Sequence, residues 1–557
     1  MSILREVQAD GWCVRLDLSG QMLRLDIPDV DDDWHDGSSK STGPPLLPAL
    51  PLTSDGPVSA ATLLMKAKQF DDGLCAAVEL AAQQGTGRFA GKASLLRSLA
   101  STLTTHSPGT DLAAAATIYA ACELGGVPVL CPADLGETVR KVVDDFLRDE
   151  TLSKPLGFYT WNDQLRTIFR QDRFLQQPLD ARSADALARA LEQTRGASNA
   201  YEACLRLNAR LTNPPATLGL RDAGDDRAFF PASRSHEVQL LERLFADRPI
   251  PDGFDLMGEL IRRVRSGKIN LMPKERSGWY DHQTWALEPL IVPDRRPEID
   301  RLDLSRGYRR HLEDLFRGTL ALTRETHAKQ AGGGRGGYAG PRQRPIWVNP
   351  GLTIEPLPSL YARYAGGYRF VRSVLEEAFG ADALHKMHRL TPEAASTPGL
   401  AEELAWMETL FIGAAATANR ELGMQPSDAE EATACCFLAW RAALGKDRDV
   451  SRDARMMVPV FYDVQRKKTK VWAFLGWRTT TVDVEYRVPP TVLAVEPSQA
   501  TGQASTHPPP VRFSDAHYEL AVPVMTEVYV ERLLDRDEFR RHCNRFGTKD
   551  AILANLR

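Results

Sequence analysis

The chain lacks the cysteine and histidine patterns that mark disulfide-rich and zinc-binding proteins. Its eight cysteines include no CxxC pair. Most of them lie in apolar, helix-like segments, where a free thiol behaves as a small buried hydrophobe. A disulfide framework is typical of short secreted chains, whereas this chain has 557 residues. No HExxH motif is present either, so the sequence predicts no metal site.

Long apolar runs and an excess of one charge are also missing. The longest apolar run, residues 112–122, is far shorter than the roughly 18 residues that a membrane-spanning helix needs. The first residues contain no apolar core of a signal peptide. A net charge of −4 gives no whole-protein argument for binding nucleic acid or an acidic membrane. We therefore expect a soluble, cytoplasmic protein with no membrane partner.

Motifs for nucleotide binding and nucleophilic catalysis are absent or stand in the wrong context. Residues 332–337 satisfy GxGxxG, but the dinucleotide motif needs a strand before it and a helix after it. Here a helical pattern precedes the glycines and prolines follow them. Residues 85–93 resemble a phosphate loop, yet Ala93 replaces the Ser or Thr that would bind magnesium. No GxSxG elbow occurs, so the cofactor and the catalytic residues stay unknown.

Most of the chain has the composition and periodicity of a folded helical protein. Hydrophobic residues make up 43% and charged residues 25% of it, which is typical of globular proteins. Its length suggests about three or four structural units. In residues 58–211 and 236–445, apolar side chains recur at three- and four-residue spacing, which predicts amphipathic helices.

The two ends of the chain have a strand pattern instead. Alternating apolar residues at 11–30, interrupted by Ser19 and Gly20, predict a β-hairpin. After residue 449 the chain is rich in β-branched and aromatic residues, which favour antiparallel strands. The N-terminal strands are expected to join the C-terminal sheet, because the few strands at each end of the chain would otherwise form small sheets with exposed, unpaired edge strands.

These patterns predict a mainly α protein, a multi-domain helical array or bundle, with a smaller C-terminal antiparallel β or α+β unit. The predicted units are an N-terminal β-hairpin and linker (1–57), helical domain 1 (58–230), helical domain 2 (231–448) with a glycine-rich loop at 331–350, and a C-terminal β-rich unit (449–557). The glycine-rich loop has too few side chains to pack and is expected to be flexible.

Groups that could bind or react are densest in residues 267–330 and shortly after them. Aromatic rings beside charged side chains could line a ligand pocket, or they could form the core between two helix layers. Glu325 and His327 would point about 200° apart on a helix, so one helix cannot direct both at one ion. The candidate binding residues are Trp279, Tyr280, His282, Trp285, Glu288, Arg324, Glu325, His327, Glu355, Tyr361 and Arg363.

The leading functional hypothesis is a non-enzymatic helical scaffold that binds another protein. Helical arrays present extended binding surfaces, and no catalytic motif is recognised. The first alternative is a hydrolase of unfamiliar type, with or without a metal, whose site lies around 279–288 and 324–355. A second alternative is single-stranded nucleic-acid binding through the arginines of the 335–344 loop and the interleaved aromatic and arginine residues of 361–369.

Overall fold

Most of the described residues between 60 and 442 are helical. The computed structural model describes residues 4–9, 12–28, 45–52, 56–104, 111–233, 235–245, 249–251, 253–327, 329, 347–348, 350–463, 465–497, 512–513 and 515–556. The helices up to residue 265 are α1 (Ala60–Gln84), α2 (Lys92–Thr104), α3 (Leu112–Leu124), α4 (Gly136–Arg148), α5 (Glu150–Ser153), α6 (Asp163–Leu175), α7 (Ala181–Gln193), α8 (Ala197–Leu211), α9 (His236–Phe245) and α10 (Leu256–Arg265). The later helices are α11 (Trp279–Ala286), α12 (Glu288–Ile291), α13 (Arg306–Thr326), α14 (Pro358–Phe379), α15 (Ala381–Leu384), α16 (Leu400–Glu421), α17 (Asp428–Ala442), α18 (Arg536–Phe546) and α19 (Lys549–Ala554).

The longer strands come from the two ends of the chain, and short strands of two or three residues lie between them. They are β1 (Leu4–Ala9), β2 (Trp12–Asp17), β3 (Leu23–Asp26), β4 (Pro178–Leu179), β5 (Arg227–Ala228), β6 (Leu302–Leu304), β7 (Trp347–Val348), β8 (Met456–Asp463), β9 (Lys468–Tyr486), β10 (Thr491–Pro497), β11 (Arg512–Phe513) and β12 (Ala516–Val530). The larger sheet has the order β12-β9-β3-β6, and β8 also pairs with β9. A second sheet has the order β1-β2-β10. The N-terminal strands therefore complete sheets with the C-terminal ones.

The long strand β9 connects the sheet to two separate apolar cores. Val471, Ala473 and Leu475 belong to a small core with the C-terminal helices. Trp472 and Phe474 belong to the main core. Because successive side chains of a strand point to opposite faces, this one segment is apolar on both sides and is covered on both sides.

Helix α1 lies in the interior of the helical part. The Ser59 side chain caps it by accepting from the backbone N–H of Thr62 at 3.2 Å. Most of its side chains are buried, and these include Lys68, Asp71 and Asp72. A helix that is apolar on all faces belongs inside a protein. The few charged groups that α1 carries into the interior must find partners there.

The predicted fold class, mainly α with a smaller C-terminal β unit, is confirmed. The predicted hairpin across Ser19 and Gly20 is wrong, because β2 pairs with β1 and β10 whereas β3 pairs with β9 and β6. Alternation identified both strands, but it carries no information on which partner each strand takes.

The division into four units stays a prediction. One cluster of buried apolar side chains extends along the chain from Leu23 to Ala521. The predicted glycine-rich loop at 331–350 falls almost entirely outside the described residues. Within the described ranges, no helix is both long enough and apolar enough to span a bilayer.

Candidate functional site

A pocket opens between α1, α6, α8 and the end of α13. The space inside it and at its open mouth together is about 850 Å³. We call it the α8 pocket. Apolar side chains including Val78, Phe158 and Phe230 form part of its wall. Its polar lining includes Glu79, Tyr159, Asp172, Asn208, His327 and Lys329.

Four charged side chains meet at the wall of this pocket. The Lys92 ammonium lies 2.6 Å from Asp172 Oδ2 and 3.3 Å from Glu79 Oε2. The Lys329 ammonium lies 2.7 Å from Asp172 Oδ2 and 2.5 Å from Glu79 Oε1. We call Glu79, Lys92, Asp172 and Lys329 the four-charge cluster. Its formal charges cancel, which allows it to be buried.

The backbone around Tyr159 fixes one edge of the cluster. A short 3₁₀ helix, Gly157–Thr160, packs against the end of α13. Gly157 has a φ of +57°, and a Cβ there would lie 3.1 Å from the Glu325 carbonyl oxygen. Glycine therefore permits the close approach. With the 3₁₀ helix in this position, the Tyr159 hydroxyl donates to Glu79 Oε1 at 2.7 Å.

The cluster holds its groups in one protonation state. Burial opposes the charged form of Glu79, but the ammonium groups of Lys329 and Lys92 outweigh it and lower the pKa of Glu79 to about 2. Burial also opposes the charged form of Lys329, but Asp172 and Glu79 raise its pKa above the usual value. Burial and the neighbouring Glu79 carboxylate raise the pKa of Tyr159. At neutral pH these groups are therefore carboxylate, ammonium and phenol.

His327 lines the same pocket as a neutral imidazole. Burial, with the nearby positive charges of Arg324 and Lys68, lowers its pKa to about 3. Its Nε2 lies 2.8 Å from Gln283 Oε1, while Gln283 Nε2 donates to Asp71 Oδ2 at 2.8 Å. Because an amide oxygen can only accept, Nε2 of His327 carries the proton. Its Nδ1 therefore keeps a lone pair.

Asp71 is the group of this network that titrates near neutrality. It is buried in α1 and also accepts from the Tyr368 hydroxyl at 2.9 Å. Burial is the largest influence and raises its pKa to about 8. Asp71 reaches the pocket only through the amide of Gln283. An amide passes a proton poorly, so this chain orients His327 instead of exchanging protons with the pocket.

Two acceptor atoms at the pocket have no protein donor. Asp172 Oδ1 is buried and has no hydrogen-bond partner in the described part of the chain. His327 makes its hydrogen bond through Nε2, which leaves the Nδ1 lone pair without a donor among the described residues. Buried acceptors usually have a partner. A donor beside Asp172 Oδ1 would therefore satisfy a buried acceptor.

Comparisons with known proteins do not assign this site. No protein-family model matches the chain, and comparison with curated proteins and with solved structures found no match. Among the residues that the structure describes, no group of three or more His, Cys, Asp or Glu side chains is placed to hold a metal ion. The chemistry of the site is therefore argued from its own groups.

The predicted candidates Trp279, Tyr280, Arg324 and His327 come together in the interior. The rings of Trp279 and Tyr280 lie edge-on to His327 at 5.8 and 5.2 Å. The Tyr280 hydroxyl donates to Glu237 at 2.8 Å, and Arg324 lies 3.3 Å from the same carboxylate. Of these four, His327 lines the α8 pocket. The other three hold its surroundings in place.

A second group of candidates lies between α11 and α14. The Arg363 guanidinium stacks on the Trp285 ring at 4.0 Å and lies 2.8 Å from Glu288. His282 stacks on Phe370 with 4.0 Å between the ring centres. Burial is the main cause of the lowered pKa of His282. These side chains are half-buried, and whether they bind a ligand stays a prediction.

The remaining candidates, Glu325, Glu355 and Tyr361, are buried away from these groups. Glu325 pairs with Lys68 at 2.8 Å and with Arg536. Glu355 accepts from the Ala60 backbone N–H at 2.8 Å, which ties it to the start of α1. The Tyr361 hydroxyl donates to the Glu355 carbonyl at 2.8 Å. Buried in this way, Glu355 and Tyr361 cannot contact a protein or nucleic-acid partner in this conformation.

Sequence reasoning missed Asp71, Glu79, Lys92, Asp172 and Lys329. Lys92 stood in the segment that resembles a phosphate loop, but its ammonium points to Glu79 and Asp172 in the interior. One available indication was the presence of charged residues inside the otherwise apolar α1. Such charges are costly to bury unless they are paired, so their occurrence in an apolar helix predicts an internal ionic network.

Proposed function

We propose that this chain is a small-molecule-binding protein and that its ligand is a small, neutral, hydroxyl-rich compound held in the α8 pocket. The observation that carries the proposal is the buried Asp172 Oδ1, which has no hydrogen-bond partner among the described residues, at a pocket that the acceptor His327 Nδ1 also lines. Hydroxyl groups donate to such atoms and also accept hydrogen bonds. A polyol or a monosaccharide carries several of them on a small frame.

The charge balance of the site favours a neutral ligand. The two carboxylates and two ammonium groups of the four-charge cluster already cancel, and each contact is at hydrogen-bond distance or close to it. An ionic ligand would leave one charge uncompensated in a buried place, which costs several kcal/mol. Lys329 has three N–H donors and contacts Glu79 and Asp172. One N–H can still serve a ligand oxygen.

The apolar part of the wall suits the carbon frame of such a ligand. Phe158, Phe230 and Val78 lie at the same pocket as the polar groups. Small-molecule sites typically combine apolar walls with a few placed polar groups that fix orientation. The C–H faces of a polyol can pack on these side chains while its hydroxyls reach Asp172 and His327.

The pKa values support binding over proton-transfer catalysis. General acid–base catalysis works best when the catalytic pKa lies near the working pH. At this pocket the pKa of Glu79 is about 2 and that of His327 about 3, while those of Lys329 and Tyr159 are raised. None of these four groups changes protonation near pH 7. The hydrolase hypothesis is therefore the weaker alternative.

The experiment is saturation-transfer NMR of the full chain with inositol and with glucose, using a variant that closes the pocket mouth. Asn208 lines the pocket and is exposed, so Asn208→Phe should abolish the transfer without disturbing the core. Asn199→Phe is the matched control, because Asn199 is an exposed residue of the same helix that does not line the pocket. It should leave transfer unchanged.

Two results would refute the proposal. One is the absence of transfer from both compounds to the wild-type protein. The other is an equal loss in the Asn208→Phe and Asn199→Phe variants, because binding would then not depend on the pocket. Thermal melting of both variants within about 2 °C of the wild type would show that neither substitution unfolds the chain, since surface changes are usually worth less than about 0.5 kcal/mol.

A further inference from the structure

A second depression lies on the other side of α8, between that helix, α14 and the loop at 85–91. It encloses about 780 Å³, again counting its open mouth, and we call it the arginine groove. A helix turns about 100° per residue, so Ala203, Arg206 and Arg210 share one face of α8. Asn208 and Thr212, which line the α8 pocket, lie on the opposite face. The two sites are therefore separate.

The arginine groove carries an uncompensated positive charge. Three arginines line it, Arg88, Arg206 and Arg210, together with a single carboxylate, Glu377. Their formal charges sum to +2. No ion pair connects any of the three arginines to a carboxylate within the described ranges of the chain. By contrast, Arg369 and Arg372 on the same α14 both pair with Glu408, at 2.7 and 3.3 Å.

Neutral groups hold two of these guanidiniums in place. Arg88 donates to the Glu376 carbonyl at 2.7 Å. Arg210 donates to the carbonyls of Glu275 and Ser277 at 3.1 and 3.2 Å, and it lies over the Phe370 ring at 4.7 Å. Carbonyls and rings fix a guanidinium without neutralising its charge, so these arginines are pre-organised for an anion.

The loop that carries Arg88 is itself well anchored. Thr86 and Phe89 exchange two backbone hydrogen bonds, each 3.0 Å long. The Phe89 ring is buried and packs on Phe379 of α14, with 5.3 Å between the ring centres. Arg88 therefore projects from a short turn that is tied to the same helix as the rest of the groove.

We propose that the arginine groove binds a small anion that carries a phosphoryl group. Guanidinium groups match phosphate oxygens in geometry and bind them through charge-assisted hydrogen bonds. A net charge of +2 on the lining suits a dianion. Arg206, which makes no hydrogen bond or ion pair with the described residues, is the arginine most available to such a ligand.

The experiment is a calorimetric titration of the full chain with inorganic pyrophosphate and with ribose 5-phosphate at low salt. The expected result is binding that weakens with added salt, since exposed charges are screened. Binding of pyrophosphate alone would assign an inorganic ligand, and binding of ribose 5-phosphate as well would assign a phosphate ester. Arg206→Glu should weaken binding by at least about tenfold, which corresponds to about 1.4 kcal/mol.

Arg195→Glu is the matched control for this substitution. Arg195 is exposed, lies just before α8, and does not line the groove. It carries the same charge change, and it should alter the affinity less than about twofold, roughly 0.4 kcal/mol. Equal losses in both variants would indicate nonspecific attraction and overturn the proposal. The proposal also fails if neither small anion binds, including the case in which a single-stranded oligonucleotide binds instead.

Discussion

Replacing Asp71 by Asn should change how the stability of this protein depends on pH. The unfolded chain loses the Asp71 proton near its ordinary pKa of 3.8, whereas the folded chain loses it near 8, because burial raises that pKa. Between these values the folded state binds more protons than the unfolded state. The free energy of unfolding therefore falls as pH rises through this window. Asparagine does not ionise, so the Asp71→Asn variant loses this contribution.

The magnitude follows from the size of the shift. pH 7 is about three units above the pKa that Asp71 has in the unfolded chain. Keeping the proton on Asp71 in the folded chain at pH 7 therefore lowers the free energy of unfolding by roughly 4 kcal/mol. Between pH 6 and pH 8 the wild type should lose about 2 kcal/mol relative to Asp71→Asn. His327, with its lowered pKa, also titrates on unfolding. Both proteins carry it, so its contribution cancels in the difference.

Urea unfolding at pH 6, 7 and 8, followed by tryptophan fluorescence, measures this difference. The size of the difference in unfolding free energy at any one pH depends on how the new amide hydrogen-bonds to Gln283 and Tyr368. The change of that difference with pH depends only on the loss of the titrating carboxyl group. Asp144→Asn is the matched control, because Asp144 is exposed and should show no slope relative to the wild type. A difference between wild type and Asp71→Asn that stays constant over this range would refute the reasoning.

Two further substitutions and one control substitution test the packing around α1, all by urea unfolding. Asp172→Asn should cost about 3–5 kcal/mol, because Lys92 and Lys329 lose one of the two buried carboxylates that they share. A loss below about 1 kcal/mol, as expected for an exposed pair, would contradict the cluster. Gly73→Ala should cost at least about 2 kcal/mol, since its Cβ would lie 2.2 Å from the Leu390 carbonyl oxygen. Gly366→Ala, in open space on α14, should instead stabilise by up to about 1 kcal/mol; the same sign for both glycines would be inconsistent with the packing.

Local periodicity was enough to predict most of the elements. Three- and four-residue spacing predicted helices in residues 58–211, and α1 to α8 lie there. Alternation at 11–30 predicted two strands, and β2 and β3 lie there. Such elements depend on the spacing of apolar residues and on neighbouring caps, which are properties of a short stretch of chain.

Local periodicity could not predict which strands pair or which distant charged residues meet. The composition after residue 449 predicted antiparallel strands but not that a single strand, β9, runs from Lys468 to Tyr486. Strands β3 and β12, which are distant from each other in the chain, both pair with β9 in the antiparallel sense. Among the candidate residues, His327 was found, but Asp172 was not. Nothing in its neighbourhood distinguishes it from an ordinary carboxylate on the polar face of a helix.

Residue spacing and composition were enough to specify the helices between residues 60 and 442 that the structure describes, the β-rich ends and the crowding of aromatic and charged groups around Trp279. Tertiary structure alone decided which charges meet, because Glu79, Lys92, Asp172 and Lys329 come from four separate segments. It also decided that the arginines of α8 and the 85–91 loop face one groove while Asn208 faces another. Local patterns reflect interactions between residues that are close in the chain. The residues of a site are distant in the chain, and they are brought together only when the helices pack.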